Sequence, residues 1–307
     1  MRILVTGGAG FIGSNFVHHL LDEHEGDEVV VLDALTYAGS RDNLEGALDD
    51  PRLEFVEGDV RDRELVSELV ADSDVVVNFA AESHVDRSID GAKPFVSTNV
   101  QGTQTLLDAA LAEDIDRFVQ ISTDEVYGQI LDGKFSEDDP LNPRNPYAAT
   151  KASADLLAQS YQTTHDLPVV ITRTCNNFGP RQHGEKLIPK FIDKAAAGDS
   201  LPVYGDGSNV REWIYVEDNC RAIDRVLRDG EAGEIYNIGS GEERTNLEVT
   251  HAILDAVGGS DDQIEFVEDR AGHDQRYALE MGKIEDLGWK PQWSFEDGLE
   301  ATVDYYR

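Results

Sequence analysis

Cysteine is scarce in this chain of 307 residues, which contains only Cys175 and Cys220. Two cysteines form neither a disulfide framework nor a cysteine-based metal cluster. Long hydrophobic runs are also missing: none approaches the ~18 residues typical of a membrane-spanning helix, and no signal peptide precedes the first predicted strand. Five histidines lack metal-ligand spacing and are predicted to lie at the surface: His18, His19, His24, His165 and His251. We therefore expect a cytoplasmic protein with no bound metal and no membrane partner.

Basic residues are few as well. Lysine and arginine together number 26, of which 8 are lysines, against 61 acidic residues, and the formal net charge is −35. Nucleic acids and anionic membranes need basic patches, so this charge excludes them as partners. Disorder is excluded because 40% of the residues are hydrophobic and 8% aromatic. A dispersed acidic surface poor in lysine favours a salt-rich, halophilic cytoplasm, where the Debye length falls to ~3 Å at 1 M. The alternative is an unusually acidic protein from an ordinary cytoplasm.

Apolar runs alternate with helical stretches along the first half of the chain. Continuous apolar runs are typical of strands buried on both faces. They occupy residues 3–6, 29–32, 53–56, 75–79, 118–122 and 169–172. Helical stretches lie at residues 12–22, 62–71, 96–112 and 147–164. This alternation predicts an α/β fold with a doubly wound parallel sheet of the Rossmann type.

A glycine turn follows the first predicted strand and opens the first helix, with Gly7, Gly10 and Gly13 at three-residue spacing. Glycines there permit a tight turn and close approach of a pyrophosphate to the helix N-terminus. Asp33 ends the next strand 20 residues after Gly13, which suits a carboxylate on the ribose 2′-hydroxyl and favours NAD over NADP. The turn could instead serve packing alone. Asp59, after the third strand, fits either the adenine edge or an ordinary strand-end cap.

Beyond about residue 175 the alternation weakens and glycine and proline become frequent, as at 179–180, 205–207 and 258–259. Residues 1–175 are therefore predicted to form the NAD-binding domain, which also receives later segments near residues 211–238. Residues 176–307 are predicted to form mainly a smaller substrate-binding lobe.

Tyr147 and Lys151 lie four residues apart in a predicted helix, so they share one face of it. Asn145 and Pro146 suit the N-cap and first position of that helix. A phenol titrates near pH ~10, and a nearby lysine together with a positive nicotinamide favours its ionised form. Tyr-x-x-x-Lys also occurs by chance in helices. Its position after a strand that ends at Thr123 favours the base of a nicotinamide-dependent hydride transfer.

Two adjacent carboxyl groups, Asp124 and Glu125, precede Tyr147 with 21 residues between Glu125 and Tyr147. Plain alcohol oxidation uses the tyrosine and lysine with one serine or threonine hydroxyl. An additional acid and base indicate that the enzyme also removes a C–H proton and expels water. The pair follows the carboxyl end of a buried strand, where ligands bind in open α/β sheets. In so acidic a chain the pair could equally be a solvated strand end.

Several longer strings resemble the dTDP-glucose 4,6-dehydratase family, which belongs to the extended short-chain dehydrogenases/reductases. The most specific are Thr-Asp-Glu at 123–125 and Glu-Ser-His-Val-Asp-Arg-Ser at 82–88. The others lie at residues 7–14, 80–81, 126–128, 147–151, 176–180, 185–189, 211–218 and 272–274. UDP-galactose 4-epimerases and UDP-glucuronate decarboxylases share the glycine turn and Tyr-x-x-x-Lys but typically lack the Asp-Glu pair. They remain the nearest alternative, and a non-catalytic NAD-sensing module is an alternative of a different class.

The resemblance implies a role for each residue of the predicted catalytic set. Tyr147 removes the C4 hydroxyl proton as hydride passes to NAD, and Thr123 holds the C4 oxygen. Glu125 takes the C5 proton, while Asp124 protonates the departing C6 hydroxyl. Hydride then returns to C6 and gives a 4-keto-6-deoxy sugar. Lys151 completes the catalytic set.

The resemblance also implies the binding residues, a nucleotide-sugar substrate and a homodimer. NAD would be contacted by Gly7, Gly10, Phe11, Ile12, Gly13, Asp33, Ala34, Leu35, Thr36, Asp59, Val60, Phe79, Ala80, Ala81, Thr98, Tyr147, Lys151 and Asn177. The substrate would be contacted by Ser83, Thr123, Asn176, Lys186, Leu187, Pro202, Val203, Tyr204, Arg211, Asn246, Arg270 and His273. Lys186, Arg211 and Arg270 suit the counter-charges of a nucleotide diphosphate. Each could instead be a surface ion-pair partner.

Overall fold

The computed structural model describes residues 1–269 and 272–307. Arg270 lies outside the described residues, so its predicted contact with substrate stays a prediction. The strands are β1 (Arg2–Thr6), β2 (Glu28–Asp33), β3 (Leu53–Glu57), β4 (Val75–Asn78), β5 (Arg117–Thr123), β6 (Val169–Thr174), β7 (Asn176–Phe178), β8 (Leu201–Tyr204), β9 (Val210–Tyr215), β10 (Ile235–Ile238), β11 (Glu243–Thr245) and β12 (Ile264–Val267).

The α-helices are α1 (Phe11–Glu23), α2 (Arg63–Ala71), α3 (Val85–Asp90), α4 (Lys93–Phe95), α5 (Thr103–Glu113), α6 (Pro146–His165), α7 (Leu187–Ala197), α8 (Val216–Asp229), α9 (Asn246–Val257), α10 (Gly282–Asp286) and α11 (Phe295–Tyr306). Short 3₁₀ turns occur at Arg41–Leu44, Ala47–Asp49, Asp124–Tyr127 and Asp261–Gln263. No helix in the described part of the chain is both long and apolar enough to span a membrane.

Seven strands form one parallel sheet in the order β10-β6-β5-β4-β1-β2-β3, which confirms the predicted fold class. Successive side chains of each inner strand point to opposite faces of the sheet. Ile3 and Val5 pack in one apolar cluster, and Leu4 packs in another on the opposite face. Helices cover both faces, so these strands read as continuous apolar runs and not as alternating ones. The six predicted strands are found at the expected places, as are the helices predicted over 12–22, 62–71 and 147–164.

One predicted helix differs from expectation. The segment predicted as a helix over 96–112 comprises a π-helix at Val96–Gly102, which includes Thr98, followed by α5. The amide of Asn99 in this segment donates to the carbonyl of Glu82 and accepts from its N–H. A Cβ on Gly102 would lie 2.6 Å from Val60 Cγ2, so the segment passes close to the loop after β3. Irregular turns of this kind are frequent at functional sites.

A second apolar core lies in the smaller lobe, where β11-β9-β7 and β12-β8 form two small sheets. The chain returns to the large sheet after β9, since α8 packs against α1 and β10 pairs in parallel with β6. The cleft described next is lined by residues at the carboxyl ends of the large sheet's strands and by residues 182, 183 and 186 before α7.

Candidate active site

A cleft of about 380 Å³ brings together most of the predicted site residues. Its position at the carboxyl ends of parallel strands is where open α/β sheets bind ligands. The predicted residues that line it are Gly7, Gly10, Phe11, Ile12, Gly13, Asp33, Ala34, Thr36, Asp59, Val60, Phe79, Ala80, Ala81, Ser83, Thr98, Thr123, Asp124, Glu125, Tyr147, Lys151, Asn176, Asn177 and Lys186.

The glycine turn leaves room for a dinucleotide. Gly7 has a φ of +68°, and a Cβ there would lie 2.7 Å from Ala80 N, so only glycine fits without strain. A Cβ on Gly13 would lie 2.3 Å from Gly7 O. The N-cap of α1 is Gly10, which has no side chain to cap the helix, so the first N–H groups of α1 suit an anion. These features fit NAD, with its pyrophosphate at the start of α1.

Asp33 closes this pocket from the end of β2. Its carboxylate accepts hydrogen bonds from Ala9 N at 2.9 Å, which ties it to the glycine turn, and from Leu35 N at 2.8 Å. Burial raises the pKa of Asp33. The side chain of Leu35 packs against the apolar core and does not line the cleft. The carboxylate of Asp59 pairs with the guanidinium of Arg61 and also lines the cleft, so its predicted contact with the adenine stays a prediction.

Tyr147 and Lys151 lie in the first turns of α6, which begins as predicted. Asn145 is the N-cap and accepts from Ala148 N at 2.8 Å. Lys151 Nζ donates to Ile121 O at 2.6 Å, and burial lowers its pKa to about 8. Burial raises the pKa of Tyr147 well above 10, and the charges of Glu125 and Asp124 raise it further. A hydrogen bond with Thr123 opposes this rise. The phenol is therefore protonated at neutral pH in the protein without a bound cofactor.

The two adjacent carboxyl groups lie in different surroundings at the end of β5. Asp124 is 2% exposed, its Oδ1 accepts from Thr123 Oγ1 at 3.2 Å, and its Oδ2 has no hydrogen-bond partner among the described residues. Burial raises its pKa well above 3.8, as do the charges of Glu125 and Glu212. Glu125 is half-buried and accepts from Asn145 Nδ2 at 3.0 Å. Such a difference in environment suits one acid and one base.

Sequence reasoning gave no role to Glu212, which lies on β9 and is fully buried. Its two oxygens accept from Gly241 N at 2.7 Å and Leu279 N at 3.2 Å. Its charge adds to the effects of burial and Glu125 in raising the pKa of Asp124, although 87 residues separate the two in the chain. The string Arg-Glu-Trp at 211–213 was the only available signal, and it carries no indication of this contact.

Lys186 lies across the cleft from Ser83, and its Nζ donates to Ser83 O at 3.0 Å. Arg211 is 5% exposed and donates to Asp274 O at 2.9 Å, with its guanidinium 4.4 Å from the ring centre of Tyr277. These contacts fix Arg211 within the smaller lobe. The remaining predicted substrate residues also lie in that lobe and outside the cleft lining: Leu187, Pro202, Val203, Tyr204, Asn246 and His273.

His19 and His24, predicted to lie at the surface, are partly buried and contact a side chain on another helix. Both Nε2 atoms face Asp224 Oδ2 on α8, at 3.4 Å for His19 and 2.8 Å for His24. Arg228 Nε donates to the other oxygen at 2.7 Å. Between α1 and α8, the carboxylate of Asp224 thus contacts both histidines and Arg228. About 200 residues separate Asp224 from the two histidines in the chain, so the spacing of residues gave no sign of this contact.

Comparison with known proteins agrees with this geometry. The family model described as GDP-mannose 4,6 dehydratase matches residues 4–302. The "Low-salt glycan biosynthesis protein Agl12" of Haloferax volcanii is 78% identical over 306 residues, which cover 100% of this chain and 98% of the relative. A dTDP-glucose 4,6-dehydratase of Actinoplanes sp. is 51% identical, with 100% of this chain and 98% of the relative covered.

A solved structure has the same fold over its whole length. DesIV, a dTDP-glucose 4,6-dehydratase from Streptomyces venezuelae with NAD and TYD bound, is 56% identical with a TM-score of 0.98, and the match covers 100% of this chain and 97% of that one. These full-length similarities and the family model show that the chain belongs to the GDP-mannose 4,6 dehydratase family of extended short-chain dehydrogenases/reductases.

Proposed function

We propose that this protein is an NAD-dependent hydro-lyase that converts dTDP-glucose into its 4-keto-6-deoxy sugar. The observation that carries the proposal is the pairing of a buried Asp124, whose pKa is raised, with a half-buried Glu125 beside the Tyr147–Lys151 pair. An enzyme that only oxidises or epimerises C4 has no need of the two carboxyl groups. The full-length similarity to dTDP-glucose 4,6-dehydratases supports the choice of substrate.

NAD would lie along the cleft, with its pyrophosphate at the glycine turn and its adenosine ribose at Asp33. When bound, it accepts a hydride from the sugar and later returns it, and its positive ring favours the phenolate. Thr123 positions the C4 oxygen. Tyr147 takes the C4 hydroxyl proton. Lys151, held by Ile121 O, supports Tyr147 from the same helix face.

The resulting 4-ketone acidifies the neighbouring C5–H, so elimination needs a base on that proton and an acid on the leaving group. Glu125 takes the C5 proton as the C5=C6 bond forms and the C6–O bond breaks. Asp124 gives its proton to the departing hydroxyl, which leaves as water. General acid and base groups contribute about 10²–10⁴-fold each when positioned in this way.

We propose that residues 1–175, with α8 and β10, hold the cofactor, and that the rest of residues 176–307 hold the nucleotide. Ser83, Asn176 and Lys186 would contact the substrate in the cleft. Arg211 and His273, with the other predicted lobe residues, would contact its nucleotide. We also propose a homodimer, because Ile89, Val96 and Leu156 are exposed apolar side chains on α6 and on two helical segments that pack against it.

The test is to incubate the protein with dTDP-glucose, and in parallel with UDP-glucose, in multimolar KCl. We expect 4-keto-6-deoxy product from dTDP-glucose without added cofactor, since the hydride removed at C4 returns at C6. Asp33 should make NADP a poor substitute, because its carboxylate would repel a 2′-phosphate. Net accumulation of NADH in step with product would show a simple dehydrogenase instead, and a product that keeps its C6 oxygen would show an epimerase.

Low salt should destabilise the protein. Repulsion within a net charge of −35 opposes the compact state when it is unscreened. Similarity to a Haloferax protein supports the halophilic interpretation. We expect the thermal unfolding midpoint to fall by more than about 10 °C between roughly 3 M and 0.1 M KCl, a large shift when about 1 kcal/mol moves the midpoint of a chain of about 150–250 residues by about 2–4 °C. An unchanged midpoint would contradict the halophilic interpretation.

A further inference from the structure

A single amide links the proposed base to the helix of the catalytic tyrosine. Asn145 Oδ1 accepts from Ala148 N at 2.8 Å, and Asn145 Nδ2 donates to Glu125 Oε2 at 3.0 Å. A backbone N–H only donates, so the cap fixes which end of the amide is the oxygen. The NH₂ end must therefore face the carboxylate. The N-cap function accounts for the first contact and leaves the second unexplained.

The amide is rigidly held. Asn145 is buried, and the segment before it is anchored at two points. Asn142 N donates to Val126 O at 3.0 Å, in the 3₁₀ turn that contains Glu125. Arg144 Nη1 pairs with Asp274 Oδ1 at 2.8 Å, and Asp274 is itself buried. A donor fixed in this way imposes its geometry on a mobile carboxylate.

The contact also selects one carboxylate oxygen of Glu125. The amide occupies Oε2, while Oε1 has no hydrogen bond within residues 1–269 and 272–307. Glu125 lines the cleft, so Oε1 is the oxygen available to a C–H proton. Because Asn145 also caps α6, the position of this oxygen is set relative to Tyr147, two residues further along the chain.

We propose that Asn145 is a positioning residue for proton abstraction: its amide orients Glu125 and fixes it relative to Tyr147. This proposal rests on the proposed dehydratase function. It predicts that Asn145 acts on the elimination half of the reaction and leaves oxidation at C4 largely intact, because Tyr147 and Lys151 do not need the amide donor.

Two variants separate positioning from helix capping. Asn145→Asp is nearly isosteric and Asn145→Ser is shorter, and both residues are good N-caps, so α6 should keep its start. Neither can donate to Glu125 in the same way. Asn145→Asp also places a second carboxylate beside Glu125. The two carboxyl groups then favour sharing one proton, because like charges repel. Ser294→Ala is the matched control, since Ser294 caps α11 through Asp297 N and has no contact with the cleft.

Wild type and variants are compared with dTDP-glucose in D₂O and multimolar KCl. For both Asn145 variants we expect a KM within about threefold of wild type, a kcat lowered by about 10–100-fold and enzyme-bound reduced nicotinamide that accumulates. Deuterium entry at C5 should slow to the same extent. In Asn145→Asp, the acid side of the kcat–pH profile should move to higher pH by about one unit or more. Ser294→Ala should change only thermal stability.

If both Asn145 variants exchange deuterium at C5 at the wild-type rate and have the same pH profile as wild type, the proposal is overturned. Asn145 is then only a helix cap. Loss of C4 oxidation together with elimination would also overturn it, because the effect would then be general disruption of the site. If wild-type enzyme itself forms no 4-keto-6-deoxy product, the proposed function fails, and this inference fails with it. The wild-type reaction thus distinguishes the two failures.

Discussion

Replacement of Tyr147 by phenylalanine is expected to lower kcat by about 10²–10⁴-fold or more, with KM for dTDP-glucose little changed. The variant removes one hydroxyl and keeps the ring, which is partly buried near Asp124 and Glu125. Without the phenol, no group of the site is placed to take the C4 hydroxyl proton. Both half-reactions should therefore disappear, because elimination requires the 4-ketone that oxidation creates. Single-turnover measurement of reduced nicotinamide checks this directly.

Tyr161→Phe is the matched control on the same helix. Tyr161 OH donates to Asp108 on α5 and lies outside the cleft lining, so this variant should turn over normally. Near-normal turnover in Tyr147→Phe would rule out Tyr147 as the base. A large rise in KM with unchanged kcat would show instead that the hydroxyl contributes only to substrate binding.

The fold could be predicted because its inner strands are buried on both faces. Ile3 and Leu4 enter opposite apolar clusters, so burial alone requires the continuous runs that the sequence shows. The start of α6 was equally predictable, since Asn145 and Pro146 have the local chemistry of an N-cap and a first helical residue. These features depend on neighbours in sequence and on hydrophobic burial.

The electrostatics of the site depended on contacts that sequence distance conceals. Glu212 raises the pKa of Asp124 from another strand, and Asp274 holds Arg211 through its carbonyl. The His19–Asp224 contact joins helices about 200 residues apart. Spacing rules describe one helix or one turn, so they predicted Tyr147 with Lys151 but not these contacts. The adjacency of Asp124 and Glu125 was visible, whereas their unequal burial was not.

That unequal burial leads to the second large effect. Glu125→Gln keeps the shape of the side chain but cannot accept the C5 proton, so we expect product formation to fall by about 10²–10⁴-fold. Oxidation at C4 should continue, because Tyr147 and Lys151 are untouched. Enzyme-bound reduced nicotinamide and 4-ketoglucose should therefore accumulate. Wild-type enzyme in D₂O should place deuterium at C5, and the variant should not.

Asp124→Asn tests the acid of the same elimination. It should slow loss of the C6 hydroxyl, which needs a proton, far more than loss of fluoride from a 6-fluoro substrate, which leaves unaided.

The same variant should change stability, because burial raises the pKa of Asp124. At neutral pH the wild-type carboxyl therefore lowers the free energy of unfolding, and this cost is absent below the unfolded-state pKa of about 3.9. Asp124→Asn should accordingly be more stable than wild type at pH 7, and the difference should vanish in acid.

The two variants together decide between dehydration and a solvated acidic strand end. Normal dehydration by Glu125→Gln, or equal slowing of the fluoro and hydroxyl substrates by Asp124→Asn, would show that the pair is not the acid and base. An Asp124→Asn variant that is more stable than wild type but inactive would show that the pair does act in dehydration. The Asp124 carboxyl is buried and its Oδ2 has no hydrogen-bond partner among the described residues, which lowers stability. Such a carboxyl is retained where its proton is needed for the reaction. The pair Asp124 and Glu125 would then be the feature that separates this enzyme from an epimerase built on the same Tyr147 and Lys151.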